Sequence, residues 1–358
     1  MRLDRARVLA GRVRAQQLDR DSSTPADTAV LDLGVQDTGT DGARWALAVR
    51  GVVDPDPAGL ALVWSLRGAP HVYRRADLPG VVAATAPWSD ADAAKRVSDA
   101  ARPLRAAGVG VLDALDTVAA EMRAIVTGPT VKGELSAALT ARLPEHHLRY
   151  CRPCDAVHTY EQPFRLAALR AGLELVPGTS PPVLRPVPGL EPAAAVPPHL
   201  DVVRGHLRLY GPATPAHVAS HLDAPVREVR EHWPADAEPV EVEGEPRWAL
   251  PGGPSTEPVA TMRLLAPFDP YLQTRDRALL VPDRARQREL WPALGRPGAV
   301  LVDGEVAGVW RPRTTGRRLT VALTPWRRLT PAERTAVEEQ AGRLAEHRGV
   351  APGGVIGA

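Results

Sequence analysis

The chain has 358 residues, 44% hydrophobic and 24% charged, the balance of a globular protein long enough for two to four domains. Lys+Arg 44 against Asp+Glu 42 leaves a net charge of only +2, so the global charge does not announce a nucleic-acid binder. No apolar run approaches the roughly 20 residues of a membrane span, no signal-peptide hydrophobic stretch opens the chain, and Cys151 and Cys154 are the only cysteines; a reducing, cytoplasmic setting without a membrane is expected.

All cationic residues are arginine except Lys95 and Lys132. The guanidinium fork suits phosphates and guanine edges, although an Ala/Pro/Gly/Arg-rich chain also follows from a GC-rich genome. In chain order, residues 2–18 put Leu3, Val8, Leu9, Val13 and Leu18 near one face, predicting an amphipathic helix with a basic outer face. Asp27-Thr28 caps a second predicted helix through Leu33. A polar knot follows (Gln36, Asp37, Thr38) between Gly34 and Gly39, then a second apolar run from Trp45 to Val49. Leu60 to Leu78 reads as a hairpin about Gly68-Ala69-Pro70.

Helix, helix, hairpin is the order of a winged helix, and it recurs. Predicted helices at Val111–Val126, Thr130–Leu143 and Tyr160–Leu173 precede a hairpin at Glu174–Val187, and proline-rich residues 186–198 read as a linker. A third unit has helices at His199–Tyr210, from Thr214 with proline in the first turn, and at Val226–Trp233, then a hairpin about Gly244. From Pro254 short β-like segments take over (MRLLAPF, ALLVPD, AVLVDGEVAGVWRP, RLTVALTPW). Asp303-Gly304 is a strong hairpin signal, and a last helix runs from Pro331 to His347. The expected fold class is α+β, with winged-helix segments at 1–86, 87–189 and 190–253 and a small β-barrel-like domain at 254–358.

Six segments, LDLGVQDTG, SLRGAPHVY, YCRPCDAVHTYEQPFRLAALRAGL, LYGPATPAHVASHL, LLAPFDPYLQTRDRALLVPDRARQRELWP and VLVDGEVAGVWRPR, occur here in the order of the winged-helix DNA glycosylase family typified by AlkZ and YcaQ, which the chain resembles from about residue 3 to 347. The resemblance implies three tandem winged helices and a C-terminal β-barrel forming a concave DNA surface. It also implies excision of N7- or N3-alkylated purines, bulky or cross-linked ones included, from double-stranded DNA by a monomer near the nucleoid, without cofactor or metal. The family signature is two polar residues flanking an apolar one, Gln-x-Gln or Gln-x-Asp. Laid on this chain it places Val35 at the centre and Gln36 second, while the first position falls on Gly34, which has no side chain.

Alkylation at N7 makes a purine cationic and a good leaving group, so its loss needs a held water and a dipole or carboxylate near the developing oxocarbenium ion. Gln36 is the candidate to orient the water, and Asp37 the candidate base or electrostatic stabiliser. The competing reading has both cap a helix end and bond loop backbone. Candidate DNA contacts are His71 and Tyr73 in the first hairpin; Lys132 and Arg142 on a middle helix; Arg152, His158 and Arg165 around the cysteines; and Arg275 and Arg277 after an aromatic loop, each weighed against packing or surface ion pairing. Cys151-x-x-Cys154 with His158 has zinc-ligand donor types, and His146 or His147 could supply a fourth. The spacing is short and a second ligand pair is absent, so two reduced thiols packed beside a turn, with no metal, are expected. The absent first signature residue favours an alternative, a non-catalytic DNA-binding protein of the same architecture that recognises lesions or regulates transcription. A metal enzyme built on the cysteines is a third, distant reading.

Overall fold

The hairpins foreseen in the first two segments do not form separate sheets. In the computed structural model, which describes residues 1–39, 42–255 and 257–357, they join edge to edge. Leu60–Trp64 and Pro70–Arg74 pair as the first hairpin, Leu173–Leu175 and Val183–Pro186 as the second, and Leu62 meets Leu175 across the junction. Val35–Gln36 and Thr130–Val131 complete this six-stranded sheet at its two edges. Arg2–Leu3 runs parallel to Glu238–Val242, so the chain start completes the sheet of the third hairpin, Glu238–Val242 with Glu245–Ala249.

The first helix, Arg5–Ala15, departs from its expected basic outer face. Its apolar side buries Leu9 and Val13 in one core with Trp45, the C-terminal strands and the last helix. Of its four arginines only Arg7 is left exposed. Arg12 is 3% exposed and binds Asp276 at 3.0 Å; Arg5 bonds the carbonyls of Leu279 and Leu280; Arg14 bonds those of Glu257 and Pro258. A guanidinium with five donors can satisfy several carbonyls where a lysine could not, which is why an arginine face here joins two ends of the chain. The core of segment 1–86 is therefore shared: Val30 to Tyr73 pack with Leu200 to Val229, and Leu9 to Val49 with the C-terminal region.

Three local expectations need correction. Residues 27–33 form only a short 3-10 turn, Ala29–Asp32, because the Tyr73 hydroxyl takes the Leu33 carbonyl and Gly34 turns to φ +82. ALLVPD is helical: Arg277–Leu280 makes one turn, Pro282 interrupts it, and Asp283 caps Arg284–Leu290 through the N–H groups of Ala285 and Arg286. Thr130 opens an edge strand, with the helix beginning at Lys132. The helices Leu78–Thr85, Asp90–Arg96 and Ala101–Ala106 and the last strand, Ala351–Ile356, lay outside the sequence reading.

The C-terminal region is a curled, half-barrel sheet of five strands in chain order, four antiparallel and the last parallel to Arg318–Pro325. A register shift at Val300/Leu301 bends it. Asp303 and Gly304, both at positive φ, make the turn that the Asp-Gly pair foretold, and Pro331–His347 packs on the sheet behind a Thr330/Glu333 capping box. Leaving that sheet, Ala266 to Arg277 runs back towards the N-terminal segments. The reason is a buried ion pair: Arg50 and Asp269, both 0% exposed, meet through two 2.8 Å bonds, and Arg50 also bonds the carbonyls of Gln16 and Ala46. With its remaining donors satisfied this pair is stable in place, and loss of one partner would strand a buried charge.

Candidate functional site

Gln36 sits in an edge strand, opposite His71 in the register. Strand alternation sends residues 36 and 38 to one face and 37 to the other. The side chains follow it: the Gln36 amide N–H donates to Thr38 Oγ1 at 2.9 Å, while Asp37 turns away and accepts the Ala43 N–H at 2.9 Å, at the start of the helix Gly42–Ala48. The capping role weighed for both residues thus falls to Asp37, and Gln36 is released from it. The Gln36 amide oxygen has no hydrogen-bond partner among the described residues.

At Gly34 the structure explains the missing side chain. A Cβ there would lie 2.4 Å from the Tyr73 ring, and φ +82 disfavours any other residue. Position 34 therefore has no room for a polar side chain. The pair of polar residues that flank a third and share a face is Gln36 and Thr38.

Gln36 lines a small hollow with Leu33, Gly34, Leu66, Arg67, His71, Tyr210, His221, Pro270 and Gln273; its volume, about 10 Å³, is that of one water position. Four stretches distant in sequence converge here, and Pro270 and Gln273 reach it because Arg50 holds Asp269. A chain of hydrogen bonds fixes its back wall. Tyr73 donates to the Leu33 carbonyl at 3.1 Å, Ser65 Oγ lies 3.0 Å from the Tyr73 hydroxyl, and His71 Nδ1 lies 3.0 Å from both Ser65 Oγ and the Ala69 carbonyl. A carbonyl can only accept, so Nδ1 carries the proton and the neutral His71 ring keeps Nε2 as an acceptor.

Burial, and then the Arg67 charge, pushes the His71 pKa down to about 3. Burial likewise holds His221 and His206 well below the usual histidine range, and it pushes Tyr73 up to about 12. These three imidazoles are neutral at pH 7. Arg67, brought down to about 10 by burial and by Arg275, still carries its charge, and it occupies a left-handed conformation at φ 59 while bonding the His221 carbonyl. Arg275 has a buried Nε without a partner and enters no ion pair among the described residues. No carboxylate lines the hollow among the described residues. It is a cationic recess lined by two amides, Gln36 and Gln273, whose oxygens have no hydrogen-bond partner among the described residues. A larger cavity, about 680 Å³, lies among Trp64, Val82, Leu115, Leu169 and Pro192 and shares none of these lining residues.

The other expected DNA contacts are dispersed. Tyr73 is 1% exposed and belongs to the interior, and His71, 3% exposed, belongs to the hollow rather than to a projecting wing. Both had been assigned to the hairpin surface; alternation on a two-sided sheet turned them inward. Lys132 and Arg165 both bind Glu161, at 2.8 and 2.6 Å, and Arg165 lies over Trp64. Arg142 pairs with Glu121 at 3.4 Å. Arg277 lies over Trp291, and Asp276 bridges Arg12 and Arg247 rather than its sequence neighbours. Arg152 is exposed on the cysteine hairpin, and His158 is half-buried there. Reading the sequence missed Arg67, Tyr210, His221 and Gln273, for which no local motif existed. It also missed the exposed arginines Arg311, Arg313, Arg317 and Arg318 at the tip of the long hairpin Glu305–Thr315 and Arg318–Pro325, where a basic, threonine-rich turn was the available signal.

A sequence model of the family described as DNA glycosylase AlkZ-like matches residues 34–347. No curated protein matches the chain at a significant level. Among solved structures, the Streptomyces sahachiroi DNA glycosylase AlkZ is similar over 99% of both chains, with a TM-score of 0.72 and 22% identity, a likeness of fold. No helix among the described residues is long and apolar enough to cross a membrane. The family match covers most of the chain, including Gln36, nearly all of the hollow and four of the five strands of the C-terminal sheet, and on that ground this chain belongs to the AlkZ-like DNA glycosylase family.

Proposed function

We propose that the protein hydrolyses the N-glycosidic bond of N7- or N3-alkylated purines in double-stranded DNA, with Gln36 holding the attacking water. The observation that carries this reading is the Gln36 amide oxygen, without a hydrogen-bond partner, at a water-sized hollow that no carboxylate lines among the described residues. A neutral purine needs a proton donor to leave, and the imidazoles here are held unprotonated. A cationic N7- or N3-alkylated base needs none. The recess therefore suits bases that already carry their charge.

In this mechanism the Gln36 amide oxygen and His71 Nε2 accept hydrogen bonds from one water and aim an oxygen lone pair at the sugar carbon; the cationic base leaves neutral with the electron pair of the broken bond, and the proton of the added water passes to solvent. Thr38 fixes the amide by taking its N–H. Asp37 is a positioning residue that ties this loop to the following helix. Arg275 and Arg67 would meet backbone phosphates, which bring the compensating charge with them. The helices and hairpins of the first three segments act as winged helices around the duplex, and the arginine-rich tip of the C-terminal hairpin adds phosphate contacts. A shallow recess of this size cannot enclose an extruded base, which accords with bulky or cross-linked adducts that stay in the stack.

The test is incubation with a duplex carrying one N7-methylguanine, followed by strand scission at abasic sites. Abasic sites formed by the protein and lost in Gln36→Ala, with DNA affinity retained, are the expected result. Excision undiminished in that variant removes Gln36 from the chemistry. Tight lesion binding without excision by the unaltered protein would instead identify a lesion recogniser.

A further inference from the structure

The cysteines that the sequence reading set aside as packed thiols lie on a small hairpin absent from that reading. Leu148–Cys151 pairs with Ala156–Thr159, joined by one 3-10 turn, Arg152–Cys154, that Asp155 closes in the left-handed conformation. The turn folds Cys154 back beneath Cys151, and the register sets His158 opposite Arg149, two residues from Cys151 on the partner strand. One ligand atom from each of Cys151, Cys154 and His158 lies within 4.8 Å of the others. Both cysteines are free; Cys154 is exposed, while Cys151 and His158 are half-buried.

The details of donor chemistry agree with one another. His158 Nδ1 lies 2.7 Å from the Thr159 carbonyl and must donate to it, which leaves Nε2 with its lone pair. That is the tautomer and the anchoring that a histidine ligand needs. The Cys154 backbone N–H and the His158 ring both lie at the Cys151 sulfur. Lys132 and Arg149 also lie within electrostatic reach of Cys154. The neighbouring carboxylate is occupied elsewhere, since Asp155 accepts the Tyr150 hydroxyl at 2.6 Å. His146 and His147 lie against each other, tilted, outside the group.

We propose that Cys151, Cys154 and His158 form a binding site for one thiophilic divalent cation of the zinc class, with three protein ligands and a fourth position open to solvent. Two sulfurs and one imidazole select zinc over the harder calcium and magnesium. Binding releases the thiol protons to solvent and bonds two sulfurs and Nε2 to the ion, with no change of oxidation state. The ion would lock the two-stranded hairpin, which has little buried apolar surface of its own, and so fix Arg149 and Arg152. An open coordination position next to these arginines would also accept an oxygen ligand. The site stands apart from Gln36, and the proposal does not depend on the glycosylase chemistry.

The experiment uses full-length protein without an affinity tag, stripped with a chelator and kept reduced without oxygen. Titration with Co²⁺ should give a saturable, stoichiometric thiolate-to-cobalt charge-transfer absorption, which Zn²⁺ then abolishes. Cys151→Ser and Cys154→Ser should remove this absorption. His158→Ala should weaken binding by more than the roughly 10–100-fold that outer-sphere changes cost. Unchanged far-ultraviolet circular dichroism in the variants separates ligand loss from misfolding. Absence of the absorption in the reduced parent protein, or binding by Cys151→Ser equal to the parent, overturns the site. So does protein isolated with an intramolecular Cys151–Cys154 disulfide that takes up no Zn²⁺ after reduction.

Discussion

The hollow beside Gln36 and the hairpin of Cys151, Cys154 and His158 are both clusters of polar side chains, yet they are built in opposite ways. The hollow draws on residues 33–36, 66–71, 210–221 and 270–273, is walled by largely buried side chains, and keeps its histidines neutral by burial. The cluster on the hairpin is complete within residues 151–158, faces solvent, and owes its geometry to one turn and four residue pairs. A site assembled from distant segments inherits the stability of the whole fold. A local site needs only its own turn, and the rest of the molecule scarcely feels its loss.

That contrast can be broken most forcefully with acid. His71 titrates near 6.5 when unfolded but about 3 in the fold, so the native state binds fewer protons between those values, and stability is full above about pH 6.5 and falls as pH drops towards 3. His206 and His221 add in the same direction. The expected outcome is a loss of several kcal/mol, read as falling denaturation midpoints from pH 7 to 4. A variant His71→Gln should flatten the curve, and a slope unaffected by it would place the proton uptake elsewhere.

Next in size is Arg50→Ala, which strands Asp269 in the interior and should cost about 3–5 kcal/mol in urea unfolding. It should also lower excision in whatever protein stays folded, because Pro270 and Gln273 lose their anchor. Gln36→Ala should reduce excision by about 100- to 1000-fold, the effect of removing one preorganised polar group, with melting temperature nearly unchanged. A variant that loses both together would make Gln36 a folding residue.

The smallest effects separate two readings of the polar knot. Gly34→Gln, which restores the family signature in the frame drawn from sequence, should destabilise the protein by about 1–3 kcal/mol through its strained φ and the Tyr73 ring, and gain no activity. Thr38→Gln should fold within about 0.5 kcal/mol of the parent, since position 38 is half-buried at an edge. If calorimetry finds the costs reversed, the signature belongs to Gly34 after all.

Much of the fold was legible. Thr214-Pro215 and Thr330-Pro331 announce helix starts because a threonine hydroxyl and a proline at the first turn satisfy local backbone demands, and Asp303-Gly304 announces a turn because its φ values do. Gln36 was legible as a polar residue at a break between apolar runs. The surroundings of the break were not. Whether Asp37 points to the hollow or to a helix end depends on Ala43 arriving at 2.9 Å, and Arg12 reads as a surface charge until Asp276, hundreds of residues away, pairs with it.

By itself, the sequence determined the elements that need only neighbours: capped helices, tight turns, strand periods, and the spacing that brings Cys151 and Cys154 together. Only the tertiary structure decided that Tyr73 would fill the space beside Gly34, that His71 would be buried neutral, and that an arginine helix would serve as an internal tie. The physical reason is range. Backbone hydrogen bonding and steric preference act over a few residues, whereas burial, which sets protonation and frees or commits a side chain, is a property of segments that meet only once the chain has folded.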